Sequence, residues 1–256
     1  MRNLTILIVL IFSTTVLAAS QKLLAPHRTC RLEPIRIGVL DTGFGFQDLG
    51  HTAKLCKYGH KDFSQDQQLS SSFNTKMGVP TDLHGHGTNI VGLIDAYASV
   101  STKPYCFVII KYFSQHQTGI ENFHASIKAL QYINNLKLDV VNYSGGGPDF
   151  SQEEYKAIKE FLDRGGLFVA AAGNENKLLD GLANSYYPAM YDNRIKVIGN
   201  KDIYGIKVPS SNYGPLVTTW ENGSNRTAYG LTMTGTSQAT AVTTGKYVAR
   251  MNSCDR

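Results

Sequence analysis

The chain has 256 residues, 42% hydrophobic and 18% charged, with 24 Gly and only 8 Pro. That balance suits one globular domain with a sizeable core, and no low-complexity run, linker or internal repeat divides it. The formal charge of +5 comes from scattered basic residues with no run or stripe, which excludes nucleic acid as a partner.

The N-terminus differs from the rest. Arg2 precedes an apolar run from Leu4 to Leu17, and Val16-Leu17-Ala18 offers small residues for cleavage. These features predict a secretory signal peptide over 1–18 and an exported protein, secreted or periplasmic. The alternative, an uncleaved membrane anchor, is disfavoured because the run is short for a span. Residues 19–34 read as an N-terminal segment and 35–256 as the folded domain.

From there, apolar runs rich in Val and Ile alternate with amphipathic stretches. Strands are expected at Ile35–Leu40, Leu55–Tyr58, Cys106–Tyr112, Asp139–Tyr143, Leu167–Ala171 and Ile195–Ile198. Helices are expected at His86–Ala98, Ile120–Leu136, Ser151–Arg164 and Ser237–Met251. Ser151 and Glu154 make a capping box for the third helix, and Gly165-Gly166 stops it. Such alternation predicts a three-layer α/β fold, a mostly parallel central sheet with helices on both faces. Reactive groups in such sheets gather at the carboxyl ends of the strands, where Asp41 falls.

The cysteines are Cys30, Cys56, Cys106 and Cys254. An even number in an exported chain favours disulfides. Cys56 and Cys106 both fall on apparent strands, while Cys30 and Cys254 lie near the two ends, so the expected pairs are Cys56–Cys106 and Cys30–Cys254. No Cys-x-x-Cys or other metal-ligand spacing occurs, so no metal site is expected.

Three short strings carry chemistry: V-L-D-T-G around Asp41, H-G-H-G-T around His86 and G-T-S-Q-A around Ser237. An acid, an imidazole and a hydroxyl beside small residues suggest a nucleophile with its base and an orienting carboxylate. Asn174, in A-A-A-G-N, could add an amide donor for an oxyanion. Gly43-x-Gly45 is followed by Asp48 rather than a third glycine, so the dinucleotide fingerprint fails. His84 competes with His86 for the base, and spacing does not choose between them.

With these strings the chain resembles the subtilases, subtilisin-like serine endopeptidases of the peptidase S8 family, from Ile35 to Arg250. D-L-H-G-H-G-T-N-I-V-G, D-V-V-N-Y-S-G-G-G-P, V-A-A-A-G-N-E, S-S-N-Y-G and G-T-S-Q-A-T-A all occur in family order. The resemblance implies that Ser237 is the nucleophile, His86 rather than His84 the base, Asp41 its orienting acid and Asn174 the oxyanion donor. It places Ser144-Gly145-Gly146 and Ala171-Ala172-Gly173 along the walls of a cleft that binds an extended peptide, with Gln115–Gly119 as the opposite edge. Tyr186 falls at the base of the pocket for the residue before the cleaved bond (P1) and would shorten it.

The chain also departs from the pattern. Asn89 stands where a second histidine is usual, Ala241 where a proline is usual, and Gln238 replaces a common methionine. The long loop that binds structural calcium in many relatives is missing between Gly92 and Cys106, and no prodomain fits between the signal and Asp41. A minimal monomeric protease without cofactor is therefore expected, restrained by a separate inhibitor or chaperone. Its rivals are a catalytically silent binding or regulatory module and an esterase with the same nucleophile.

Overall fold

The computed structural model describes residues 33–45, 54–64, 78–181 and 184–251. The signal-peptide reading over 1–18 and the Cys30–Cys254 pair lie outside the described residues.

A seven-stranded sheet has the order β2-β3-β1-β4-β5-β6-β7, and every neighbouring pair in it is parallel. The strands are β1 Ile35–Asp41, β2 Lys61–Asp62, β3 Tyr105–Lys111, β4 Val140–Tyr143, β5 Leu167–Ala171, β6 Lys196–Lys201 and β7 Thr219–Asn222. The helices are α1 His86–Ala98, α2 Gly119–Ile133, α3 Gln152–Asp163 and α4 Thr236–Arg250. A separate antiparallel hairpin, β8 Arg226–Ala228 and β9 Leu231–Met233, completes the fold.

Both faces of the sheet are apolar because alternate residues of each strand point opposite ways. Ile37 and Val39 of β1 and Phe107 and Ile109 of β3 pack with Ile90 and Ile94 of α1 and Val248 of α4. Leu40, Val108 and Ile110 face the other way, toward Leu130 and Ile133 of α2 and Ile158 and Phe161 of α3. The sheet is therefore sandwiched between α1 and α4 on one side and α2 and α3 on the other. This is the expected three-layer arrangement.

The order of the strands reverses at β1, which lies between β3 and β4. A crevice opens outside the carboxyl end of a strand at such a switch point. Asp41, the last residue of β1, stands there.

Two expected elements differ. Leu55–Tyr58 is reduced to one parallel bridge, Leu55 to Phe107, because the chain turns away at Gly59, whose φ is +101°. Lys61–Asp62 forms the sheet edge instead. The bridge still brings Cys56 to β3, and Cys56 and Cys106 form a disulfide across a separation of 50 residues. The capping box at α3 is half formed: the Ser151 hydroxyl accepts from the Glu154 N–H at 3.2 Å, while the Glu154 carboxylate turns inward to Ser126 and Tyr191. The complete box caps α2, from Thr118 and Glu121. No helix among the described residues is long and apolar enough to cross a membrane.

Candidate active site

Asp41 is buried, 4% exposed. Its Oδ1 accepts from the Thr42 N–H at 2.8 Å and from Nδ1–H of His86 at 2.7 Å. A carboxylate there can only accept, so the proton sits on Nδ1 and the Nε2 lone pair is left facing the cleft. Burial pushes the His86 pKa down, but the charge and hydrogen bond of Asp41, with the charge of Asp82, outweigh it and raise the net value above 6.5.

Asp82 is a residue that the motif reading passed over. Its Oδ1 accepts from the N–H groups of His84 and Gly85 and from the Thr42 hydroxyl, and its Oδ2 from the N–H and hydroxyl of Thr88. These bonds outweigh desolvation and lower its pKa. The Thr42 hydroxyl in turn accepts from the Gly87 N–H at 2.8 Å. Asp82 thus pins the start of α1 to the turn after β1 and fixes the backbone that carries His86. The signal was present as the acid that opens D-L-H-G-H-G-T.

His84 is exposed. Its ring lies edge-on to those of His86 and Phe113 at 6.2 Å between centroids. Asp41 bonds His86 and not His84, a difference between the two rings that spacing does not reveal.

Ser237 arrives on α4, which runs beside α1 in the same direction. Asn89 near the start of α1 accepts from Gln238 near the start of α4 at 3.2 Å. Further along, a Cβ at Gly245 would lie 2.7 Å from Ile94 O and Tyr97 Cβ, so only a glycine lets the helices approach this closely. Parallel packing brings both helix starts, and with them His86 and Ser237, to the same end of the sheet.

The Ser237 hydroxyl donates to Ser144 O at 2.7 Å, and the Ser144 hydroxyl donates to Ser237 O at 3.2 Å. No hydrogen bond joins Ser237 to His86. Asn174, at the loop after β5, accepts through Oδ1 from the N–H and hydroxyl of Thr236 at 3.0 and 3.2 Å. That leaves its Nδ2 for an acceptor in the cleft. Gly235 supplies no side-chain cap to α4, so the first-turn N–H of Ser237 also lacks an intrahelical partner. These two donors, beside a hydroxyl at a helix start, can stabilise a developing oxyanion.

The Subtilase family model matches residues 33–253. The chain belongs to the subtilase family. It is 30% identical over 168 residues to the major intracellular serine protease of Bacillus subtilis, an alignment covering 64% of this chain and 50% of that protein. Identity to subtilisin DY of Bacillus licheniformis is 29%, over 64% of this chain and 55% of that protein. A cold-adapted subtilisin-like serine proteinase shares the fold at a TM-score of 0.63 and 23% identity, covering 82% of this chain and 72% of that one. The chain spans about half the length of these curated relatives.

In this subtilase the expected walls of the cleft are unequal. Gly145 and Gly146 make no backbone hydrogen bond to another described residue, whereas Gly147 exchanges two with Tyr187. The other wall is already satisfied. Ala172 bonds Ile198 O and Asn212 Nδ2, and Gly173 bonds the Thr236 hydroxyl and the Asn212 N–H. Ala171 and Ala172 are buried in the core, so their backbone is not an edge for strand addition. Gln115–Gly119 is no extended edge either: it turns and presents Thr118 as the cap of α2, and Tyr112 and Phe113 line the cleft beside His86 in its place.

Tyr186 lies between the two walls, 8% exposed. A Cβ at Gly146 would meet its ring at 2.6 Å and one at Gly173 at 2.7 Å. The ring takes the space that side chains on either wall would fill. Asn89, in the place of the second histidine, donates to Arg226 O and Leu231 O and so ties α1 to the β8–β9 hairpin. Ala241 is buried where the proline is usual. Among the described residues no group of three or more His, Cys, Asp or Glu side chains could hold a metal.

Proposed function

We propose that this chain is an exported serine endopeptidase that cleaves peptides bound in extended form. The observation that carries it is the 2.7 Å Asp41–His86 bond at the same end of the fold as the start of the helix that bears Ser237. Rotation of the Ser237 side chain about its Cα–Cβ bond releases Oγ from Ser144 O toward Nε2. His86 then removes the hydroxyl proton as Oγ attacks the scissile carbonyl, and later returns it to the leaving amine, while Asp41 holds the tautomer and stabilises the imidazolium. Nδ2 of Asn174 and the Ser237 N–H receive the oxyanion. None of these steps calls for a cofactor.

The open Gly145–Gly146 backbone supports a substrate strand on that side. The Tyr186 ring favours small side chains at P1. Efficient cleavage after Phe or Leu in a peptide library would sink that preference, and Tyr186→Ala should open the pocket to them.

A silent binding module draws support from the Ser237–Ser144 bond, which leaves the nucleophile turned away from its base. A fluorophosphonate separates the two readings. Labelling of the folded wild type that disappears in Ser237→Ala is the expected result, and no labelling of the wild type refutes the enzyme. Comparing hydrolysis of a protein with that of simple esters tests the esterase alternative. N-terminal sequencing of the protein recovered outside the cell tests export and cleavage after Ala18. Its restraint by a separate inhibitor or chaperone and its monomeric state belong to the same proposal.

A further inference from the structure

A cavity of about 350 Å³ lies beyond the Gly145–Gly147 edge and reaches down to α3. It shares Tyr112, Phe113 and Gly145 with the cleft at His86, so one surface runs from the imidazole into it. Its lining includes two acids, Asp149 and Glu154, and no Lys or Arg.

Glu154 is the unusual member. It sits on the inward stripe of α3 with Ala157, Ile158, Phe161 and Leu162, where helical periodicity calls for an apolar residue. Only 3% of it is exposed. Its Oε1 accepts from the Ser126 hydroxyl at 2.5 Å and its Oε2 from the Tyr191 hydroxyl at 2.8 Å. Burial pushes its pKa up and those two bonds oppose the rise. A carboxylate this deeply buried, with two hydroxyls as its hydrogen-bond partners, is one whose charged form a cation placed beside it would stabilise. Glu154 also gives up its local part in the capping box, and the Ser151 N–H donates to the Tyr191 hydroxyl instead.

The rest of the cavity suits a long cationic side chain. Phe113, Phe123 and Tyr187 can flank an aliphatic stem while the charged head goes deeper. Asp149 is exposed at the rim.

We propose that this cavity receives a lysine or arginine side chain of the substrate peptide, with Glu154 as its counter-charge and Asp149 steering it in at the rim. The inference rests on the endopeptidase reading for the path of the peptide along Gly145–Gly146. It makes Glu154 a specificity determinant in a chain whose P1 pocket, on the same reading, is shortened by Tyr186.

The test measures binding of fluorescent peptides to the Ser237→Ala protein by anisotropy. The peptides are identical except that Lys, Arg or the neutral norleucine is moved through each position. The expected result is one position at which Lys and Arg bind about tenfold more tightly than norleucine. Glu154→Gln should bring that ratio close to one, and Asp149→Asn should lower it by a smaller factor. Absence of a cationic preference at every position overturns the assignment, as does a preference that survives Glu154→Gln. Should Glu154→Gln not fold, the wild-type ratio and Asp149→Asn still decide. Failure of the endopeptidase reading shows separately, as a wild type that no fluorophosphonate labels. A labelled protein that binds peptides without regard to charge overturns the cavity assignment alone.

Discussion

The starts of α1 and α4 lie side by side at the same end of the sheet and are finished in opposite ways. At α1 the Asp82 carboxylate takes up the N–H groups of His84, Gly85 and Thr88 together with two hydroxyls. At α4, which like α1 follows a glycine without a side-chain cap, Asn174 takes up the Thr236 N–H, and no other described side chain accepts from the first-turn N–H groups. A helix start carries partial positive charge in its unpaired N–H groups. Saturating it yields a rigid mount, and α1 uses that mount to hold the His86 imidazole against Asp41. Leaving it open yields an anion site, and α4 places a hydroxyl there. A glycine without a side-chain cap precedes both helices. The contrast therefore shows how one recurrent feature of helices is directed to structure or to chemistry by the acceptors brought to it from elsewhere, Asp82 and Thr42 at α1.

Each prediction attacks one side of that contrast. Asp41→Asn leaves the Asp82 mount intact but removes the acceptor that fixes the His86 tautomer. A fall in kcat of about 10⁴ is expected, with folding unchanged by circular dichroism. Asn174→Ala strips the open start of its side-chain donor, and kcat should fall by about 10²–10³ with KM little altered. Steady-state kinetics on one peptide checks both, and similar losses in kcat and 1/KM for Asn174→Ala would count against its role in the transition state.

Asp82→Asn loosens the closed start. Unfolding by urea should show a loss of about 1–3 kcal/mol, because several buried donors lose a charged acceptor. Removing that charge also lowers the His86 pKa, to which Asp82 contributes. His86 must be neutral to act as a base, so the acid limb of the wild-type kcat/KM profile is expected above pH 6.5, the ordinary histidine value. In Asp82→Asn that limb should move to lower pH. A limb that stays in place would separate the mount from the electrostatics. The sign for stability is opposite to that for activity: a histidine with a raised folded pKa contributes stability below its unfolded value and loses it as pH rises through the folded one.

Much of this contrast was legible in the residues themselves. Asp41, His86 and Ser237 each stand beside Gly or a small residue at the end of a strand or the start of a helix, and the six motifs fall in family order. The paired Cys56 and Cys106 were legible as well, although the strand expected around Cys56 is only a bridge. Other features were hidden because local pattern does not encode them. Lys61–Asp62 and Thr219–Asn222 lie at the two edges of the sheet, where one side of a strand has no neighbour and a run of apolar residues is not needed. The wall expected at Ala171–Gly173 looked like open backbone, yet Asn212, from a distant loop, closes it. Glu154 looked like half of a capping box and is instead buried beneath a cavity.

By itself the sequence determined the alternating elements, the motifs that carry Asp41, His86 and Ser237, and the family they belong to, because periodicity and short motifs are local properties. The tertiary structure decided which histidine meets Asp41, that Ser237 rests on Ser144, that Tyr186 fills the space between two glycine-bearing walls, and that Glu154 faces a cavity without a cation. Each of these depends on groups far apart in the chain meeting within a few ångströms, and the packing of helices on a parallel sheet sets those distances.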